Sequence, residues 1–339
     1  MKRYKILNNS LGWLCFVIAT LTYFLTLEPT ASWWDCGEYI STAVKLQVGH
    51  PPGAPTFQLL GRFFSLFAFG DITKQAMMVN AMSAISSSLT ILFLFWTITM
   101  LGRKIVNMSN PGETYIAADG SIQKGCDFDK KENSWKMYSI FAAGAIGALA
   151  YTFSDTFWFS AVEGEVYAMS SFCTAIVFWA ILKWELQTNE QDANRWLLFI
   201  ALILGLSIGV HLLNLLAIPA IVFMFYYKQR ENGHYSFWEY VKIFAVSCLI
   251  LAVILFGIIP YLPKIAAYFD LFFVNKLGLP FNSGAIAFMV LLLGACFWGL
   301  FRTMKNGKVF QNTVLLCFTT IVIGFSLFSI VIIRSSAKT

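Results

Sequence analysis

Charge is the scarce component of this sequence. Only 12% of its 339 residues are Asp, Glu, Lys or Arg, about half of the ~25% usual in soluble domains. A chain that is also 58% apolar has too little interior to hide its side chains as a soluble enzyme. The same composition excludes a disordered or nucleic-acid-wrapping protein. Alternating hydrophobicity is lacking too, because the apolar residues come in long runs, and this excludes an outer-membrane barrel. The seven Cys (15, 36, 126, 173, 248, 296 and 317) form no C-x-x-C pair, so no disulfide framework or structural zinc site is indicated. No glycine-rich nucleotide cradle occurs. What is abundant is Phe, with 33 residues, and the mean hydropathy is +0.67. The fold class that remains is an all-α polytopic membrane protein.

Apolar runs lie at about 11–27, 77–101, 138–154, 166–182, 196–227, 241–259, 285–301 and 312–333. Most suit a hydrocarbon core that needs ~20 residues per helix. The run 196–227 is broken at Gly209-Val210-His211-Leu212-Leu213-Asn214. It reads as a hairpin of two short helices, with His211 and Asn214 near the tip. About nine spans follow. The apolar segment 56–70 holds Arg62 and is too short to cross, so it reads as an interfacial helix in the first outer loop. Lys2, Arg3 and Lys5 precede an uncleaved first span, with the N-terminus inside. This arrangement puts 17 of the 24 Lys and Arg on the cytoplasmic side, as the positive-inside rule requires. One domain, 1–339, is expected. Its outer loops are 28–76, 155–165 and 260–284, and its polar cytoplasmic loop, 103–136, has a turn signal at Asp119-Gly120.

The outer face carries the chemistry. The first loop reads Glu28-Pro-Thr-Ala-Ser-Trp-Trp34-Asp35-Cys-Gly-Glu38-Tyr39, followed by Val-Gly-His50-Pro-Pro-Gly-Ala-Pro55. The second reads Thr152-Phe-Ser-Asp155-Thr-Phe-Trp158, then Glu163-Gly-Glu165-Val-Tyr167. A carboxylate at a membrane boundary is costly unless it is paired, hydrated or used, and five gather here. If residues 34–48 are helical, Asp35 and Glu38 share a face at i, i+3. Such a carboxylate can deprotonate a hydroxyl nucleophile or hold a divalent cation. Trp33, Trp34, Trp158 and Tyr167 also fit an aromatic belt. His50 fits a turn residue as well as a site residue, and His211 fits a satisfied buried histidine equally. His234 falls in a cytoplasmic loop and reads as ordinary.

These motifs resemble those of a known family. Trp-Asp-x-Gly-Glu after the first span, followed by His-Pro-Pro-Gly, is similar to the catalytic first loop of protein O-mannosyltransferases. The closer likeness is to the bacterial branch of that mannosyltransferase-like family, within the GT-C superfamily of membrane glycosyltransferases. That branch also shows Thr-Phe-Ser-Asp-Thr-Phe-Trp, Glu-x-Glu-Val-Tyr and Gly-x-His-Leu-x-Asn-Leu-Leu. All of these occur here in order. The resemblance implies a GT-C-like bundle in the bacterial inner membrane with its active site on the periplasmic face. It also implies inverting sugar transfer, of mannose, from a polyprenyl-phosphate-linked donor to Ser or Thr hydroxyls of an acceptor polypeptide. Asp35 would be the general base and Glu38 its support. His50 would lie near the donor, and Glu163 and Glu165 would line the cleft. Asp155, Trp34, Tyr39, His211 and Asn214 would contribute to donor or acceptor binding, and Lys264 and Arg334 are the candidate cations for the lipid phosphate. No metal or other cofactor is expected, and no nucleic-acid partner. Longer relatives continue past the point where this sequence stops, so it is expected to lack their C-terminal part.

Two other readings follow from the same residues. One is a non-catalytic protein of the same fold, a truncated remnant or a binder of polyprenyl lipid. The other is a transporter, which would place ionisable residues near mid-span. The runs 77–101, 285–301 and 312–333 carry none, which counts against transport.

Overall fold

In a computed structural model, residues 2–50, 53–109, 113–116, 122–229 and 236–328 are described. Arg334, His234, the Pro51-Pro52 pair and the Asp119-Gly120 turn lie outside them. The regular elements among the described residues are helical apart from one short antiparallel ribbon. In chain order they form α1 (Lys2–Leu25), α2 (Cys36–Lys45), α3 (Pro55–Ser65) and α4 (Gln75–Ser109), then β1 (Thr114–Ile116) and β2 (Ile122–Lys124). There follow α5 (Ser134–Thr152), α6 (Asp155–Ala161), α7 (Val166–Glu185), α8 (Glu190–Ile208), α9 (Ile218–Gln229) and α10 (Phe237–Ala252). Last come α11 (Ile259–Leu277), α12 (Ser283–Lys305) and α13 (Val309–Phe325).

Among the described residues, six helical segments are long and apolar enough to cross a membrane, or seven if the bent pair α5–α6 counts as one span. This is a multi-pass membrane protein. The difference from nine arises at the hairpin and the bend. The first arm, α8, is not among the six, and it begins with the polar Glu190-Gln-Asp-Ala-Asn-Arg195; the second is a short apolar helix over Leu212–Lys228. Between them His211 is extended and a 3-10 turn covers Leu212–Ala217. Residues 260–284, expected as a loop, are helical as far as Leu277. Pro260 and Pro263 lie in the early turns of α11, where each lacks the N–H of a helical hydrogen bond. A π-helical stretch over Val253–Ile258 carries α10 into α11 without a break. The combined helix of 41 residues measures about 60 Å, twice a ~30 Å hydrocarbon core.

The chain forms two compact units, 1–37 with 64–182, and 38–63 with 183–339. It passes from one to the other inside α2, again inside α3 and again near the end of α7.

In the first unit α4 packs on α1 and α5. Small residues let the helices approach: a Cβ on Gly144 would stand 2.7 Å from Thr99 Cγ2. The core between them holds Tyr23, Ala84, Ile91, Phe95, Ala148 and Phe157. Tyr23 is buried, and its hydroxyl donates to the Thr152 carbonyl at 3.1 Å. That bond satisfies the tyrosine and ties the end of α1 to the end of α5.

In the second unit α8 crosses α13 at two glycines. A Cβ on Gly205 would meet the Ile321 carbonyl oxygen at 2.5 Å, and one on Gly324 would meet the Leu206 nitrogen at 2.7 Å. Without water to drive association, such small-residue contacts hold membrane helices together. Gly205→Val is expected to lower the melting midpoint in membrane mimetics, with a cost of about 1–3 kcal/mol. Gly294→Ala, at a position with open space around it, is expected to be neutral or stabilising by up to about 1 kcal/mol. Equal melting curves for the two variants would contradict this packing.

Candidate functional site

Within the first unit the two motif-bearing loops are joined. The Glu28 backbone N–H donates to the Val162 carbonyl at 3.2 Å. The Ser32 hydroxyl donates to the Glu163 carboxylate, and the Asp35 backbone N–H donates to that of Glu165. The Trp158 indole N–H donates to Thr26 Oγ1 at 2.9 Å. Asn80, fully buried at the start of α4, holds the first loop from below. Its amide donates to the carbonyls of Glu28 at 2.6 Å and Thr30 at 2.8 Å. Thr30 in turn donates to Glu28 Oε1 at 2.8 Å.

Asp35, Glu163 and Glu165 are thereby brought together. Asp35 is exposed, while Glu163 and Glu165 are each 5% exposed. Burial pushes the Glu165 carboxyl up to about 7, with smaller contributions from the charges of Glu163 and Asp35. Burial also raises Glu163, against the Ser32 bond that favours its charged form. Removal from water disfavours the ionised carboxylate, and a like charge nearby adds to that. A neutral carboxyl at Glu165 can donate a hydrogen bond. Cys36 is fully buried beneath this loop. Burial raises its thiol above the ordinary value, which makes it unreactive.

Trp33 and Trp34 stand at the exposed crest of the loop, and Trp34 is 90% exposed. Trp34 takes a left-handed backbone, with φ 56°, an uncommon conformation for a bulky residue. Asp155 is exposed at the head of α6, with no ion pair among the described residues.

The second unit holds another set. Glu38, in the first turn of α2, accepts from the His50 backbone N–H at 2.6 Å, and its other oxygen lies 3.1 Å from His50 Nδ1. The backbone bond is the largest influence lowering the Glu38 carboxyl below its ordinary value. Gly49 makes this turn possible, since a Cβ there would stand 3.1 Å from Glu38 Oε1. Tyr39 packs on His50, with ring centres 5.9 Å apart. At the hairpin His211 Nδ1 accepts from the Leu213 N–H at 3.2 Å, and Asn214, fully buried, donates to Ser207 Oγ at 2.7 Å. Thr56 ties α3 to the hairpin, through its N–H to Gly209 O at 2.8 Å and its hydroxyl to Leu206 O at 3.0 Å. Lys264, on α11, lies 5.8 Å from the centre of the Tyr261 ring and 5.9 Å from that of Tyr268.

Ser32, Asn80 and Gln58 are functional candidates that the sequence reading did not single out. Ser32 sat inside the first-loop motif, and its short hydroxyl beside acids was the available signal. Asn80 was a lone amide near the start of an apolar run, where a polar side chain needs a partner. Gln58 is buried, with its amide nitrogen unpartnered among the described residues. It lies beside the Gly49 turn: a Cβ on Gly49 would stand 3.3 Å from that nitrogen.

Residues 35–234 match the family described as "Protein O-mannosyl-transferase TMEM260 N-terminal domain", and the chain belongs to that family. It is 25% identical over 255 residues to "Protein O-mannosyl-transferase tmem260" of Dictyostelium discoideum, covering 74% of this chain and 26% of that protein. It is 23% identical over 200 residues to "Protein O-mannosyl-transferase TMEM260" of Mus musculus, covering 59% of this chain and 22% of that protein. The chain therefore spans about a quarter of the length of the curated relatives it matches. No solved structure matches it.

The raised carboxyl gives a pH signature. Between the ordinary value of 4.5 and about 7, the folded chain keeps a proton that the unfolded chain has released. Stability therefore falls as pH rises through that window and levels off above it. Glu165→Gln is expected to flatten the melting midpoint between pH 4.5 and 7. An unchanged slope would show that Glu165 is not the group responsible.

Proposed function

We propose that this chain catalyses transfer of a mannosyl group from a polyprenyl-phosphate donor to Ser or Thr hydroxyls of exported polypeptides. The observation that carries this reading is the junction of the two motif loops, where exposed Asp35 adjoins a buried carboxyl held neutral to about pH 7. In the proposed step Asp35 takes the proton from the acceptor hydroxyl while that oxygen attacks the anomeric carbon. The bond from that carbon to the lipid phosphate breaks, and the phosphate leaves with the electron pair. Attack opposite the leaving group inverts the anomeric centre. Glu165, as a neutral donor, orients the acceptor or the sugar, and Glu163 and Ser32 fix it.

Glu38 holds His50 toward the donor side, with Trp34, Tyr39, Asp155, His211 and Asn214 in supporting roles. Lys264 and Arg334 supply cations for the lipid phosphate. The basic segments face the cytoplasm of a bacterial inner membrane and the acidic loops face the periplasm, with α3 lying in the interface. A non-catalytic member of the same fold that only binds polyprenyl lipid is the alternative.

Membranes carrying the chain, given radiolabelled polyprenyl-phosphate mannose and a Ser/Thr peptide, should label the peptide. Asp35→Asn should lower the rate by roughly 10²–10⁴-fold. Equal rates would remove Asp35 as the base, and no labelling by the wild type would favour the lipid-binding alternative. Transfer should persist in chelator, because the proposed step uses no metal.

A further inference from the structure

One buried donor in the second unit has no use in the fold. Gln58 is 6% exposed, and its amide nitrogen has no hydrogen-bond partner among the described residues. Such a group costs stability, because its N–H donors are stripped of water and nothing replaces it. Asn214, also buried in this unit, has Ser207 as its partner. The two residues before Gln58 are pinned, so α3 holds the amide where it is. Thr56 is bonded to the Gly209 and Leu206 carbonyls, and Phe57, fully buried, packs on Tyr39 with ring centres 5.4 Å apart.

We infer that Gln58 is a hydroxyl-binding residue, its amide kept beneath the Glu38–His50 turn for an alcohol that donates to Glu38 and accepts from Gln58. The two groups meet at Gly49. A Cβ there would stand 3.1 Å from Glu38 Oε1 and 3.3 Å from Gln58 Nε2, so the acceptor and the donor border one face of the glycine. The chemistry of the pair selects the ligand. A hydroxyl can donate a hydrogen bond to the carboxylate and accept one from the amide. A phosphate only accepts, and it meets the Glu38 charge. An ammonium only donates and a hydrocarbon does neither, so each leaves the amide buried and unpartnered.

The resting structure keeps this pair covered. Gly49 stands against the amide nitrogen, and His50 ties the turn down through two contacts to Glu38, at 2.6 and 3.1 Å. Both side chains of that tie reach solvent, with 43% exposed for His50 and 38% for Glu38. An alcohol arriving from solvent therefore competes with His50 for the carboxylate. As the tie loosens, Gly49 moves off the amide. The turn has joints for this motion. Leu46 and Gly53, on either side of it, take left-handed backbones, φ 49° and 79°, and for Leu46 that conformation is costly. The bearer of the hydroxyl, the sugar of the donor or a Ser or Thr of the acceptor, rests on the proposed transfer reading. The use of the amide does not.

The test compares the wild type with Gln58→Met in lipid nanodiscs. Methionine keeps the length and helix propensity of glutamine and removes the amide. Two probes are titrated, radiolabelled polyprenyl-phosphate mannose and a Ser/Thr peptide. Gln58→Met is expected to weaken at least one of them about fivefold or more without lowering the melting midpoint, since an unpaired buried donor has been removed. Loss on the lipid assigns the hydroxyl to the sugar. Loss on the peptide assigns it to the acceptor, and an Ala peptide should then bind both forms alike. A lowered midpoint would show that the fold uses the amide, and wild-type affinity for both probes would show that the ligand does not. Either result, or a wild type that binds neither probe, would overturn the assignment. Because the readouts are binding and stability, a chain that binds without transferring mannose contradicts the proposed function and leaves this result standing.

Discussion

The structure of the first unit turns on one cross-link, in which the loop after α1 is hydrogen-bonded to the loop between α6 and α7. Each loop alone is a short polar connection at the end of apolar helices, with backbone groups and carboxylates to satisfy. Together they satisfy one another. Ser32 and the Asp35 backbone donate to Glu163 and Glu165, the Glu28 N–H reaches Val162, and Asn80 closes the arrangement from α4. The helices beneath set the spacing. Tyr23 ties α1 to α5, and tight crossings such as that at Gly144 fix α5 against α4. Buried acids are tolerated because each has a donor, and their burial is what raises them.

That arrangement separates two kinds of carboxyl within a few residues. Asp35 is exposed and Glu165 is buried, so environment rather than residue type gives them different chemistry. A glycosyltransferase needs this kind of division, with one group to take a proton and others to hold polar substrates in place. In the second unit the Glu38–His50 pair follows a different logic. A charged carboxyl is stabilised by a backbone N–H and an imidazole, and it fixes the turn that Gly49 permits.

Much of this was legible in the sequence. Long apolar runs and scarce charge gave the membrane class, and the two motif segments singled out Asp35, Glu163 and Glu165, which folding brings together. Span boundaries were less legible. Hydropathy does not distinguish a helix that continues through a π-helical stretch, as at 253–258, from one that ends there. Nor does it show that α6 departs from α5 at a sharp angle. The surroundings of His211 and Asn214 were not legible either. Asn214 donates to Ser207 and His211 accepts from the Leu213 N–H, bonds that the polar side chains alone do not announce. Partners brought together by folding, such as Ser32 with Glu163, are 131 residues apart in sequence, and no local pattern couples them.

The most direct test is a double-mutant cycle between Ser32 and Glu163, read by thermal unfolding of Ser32→Ala, Glu163→Gln and the pair in nanodiscs. If the loops are joined as described, the two changes should be non-additive by about 0.5–3 kcal/mol. Additivity within about 0.3 kcal/mol would mean that the two side chains do not interact, and the junction on which the site depends would not exist.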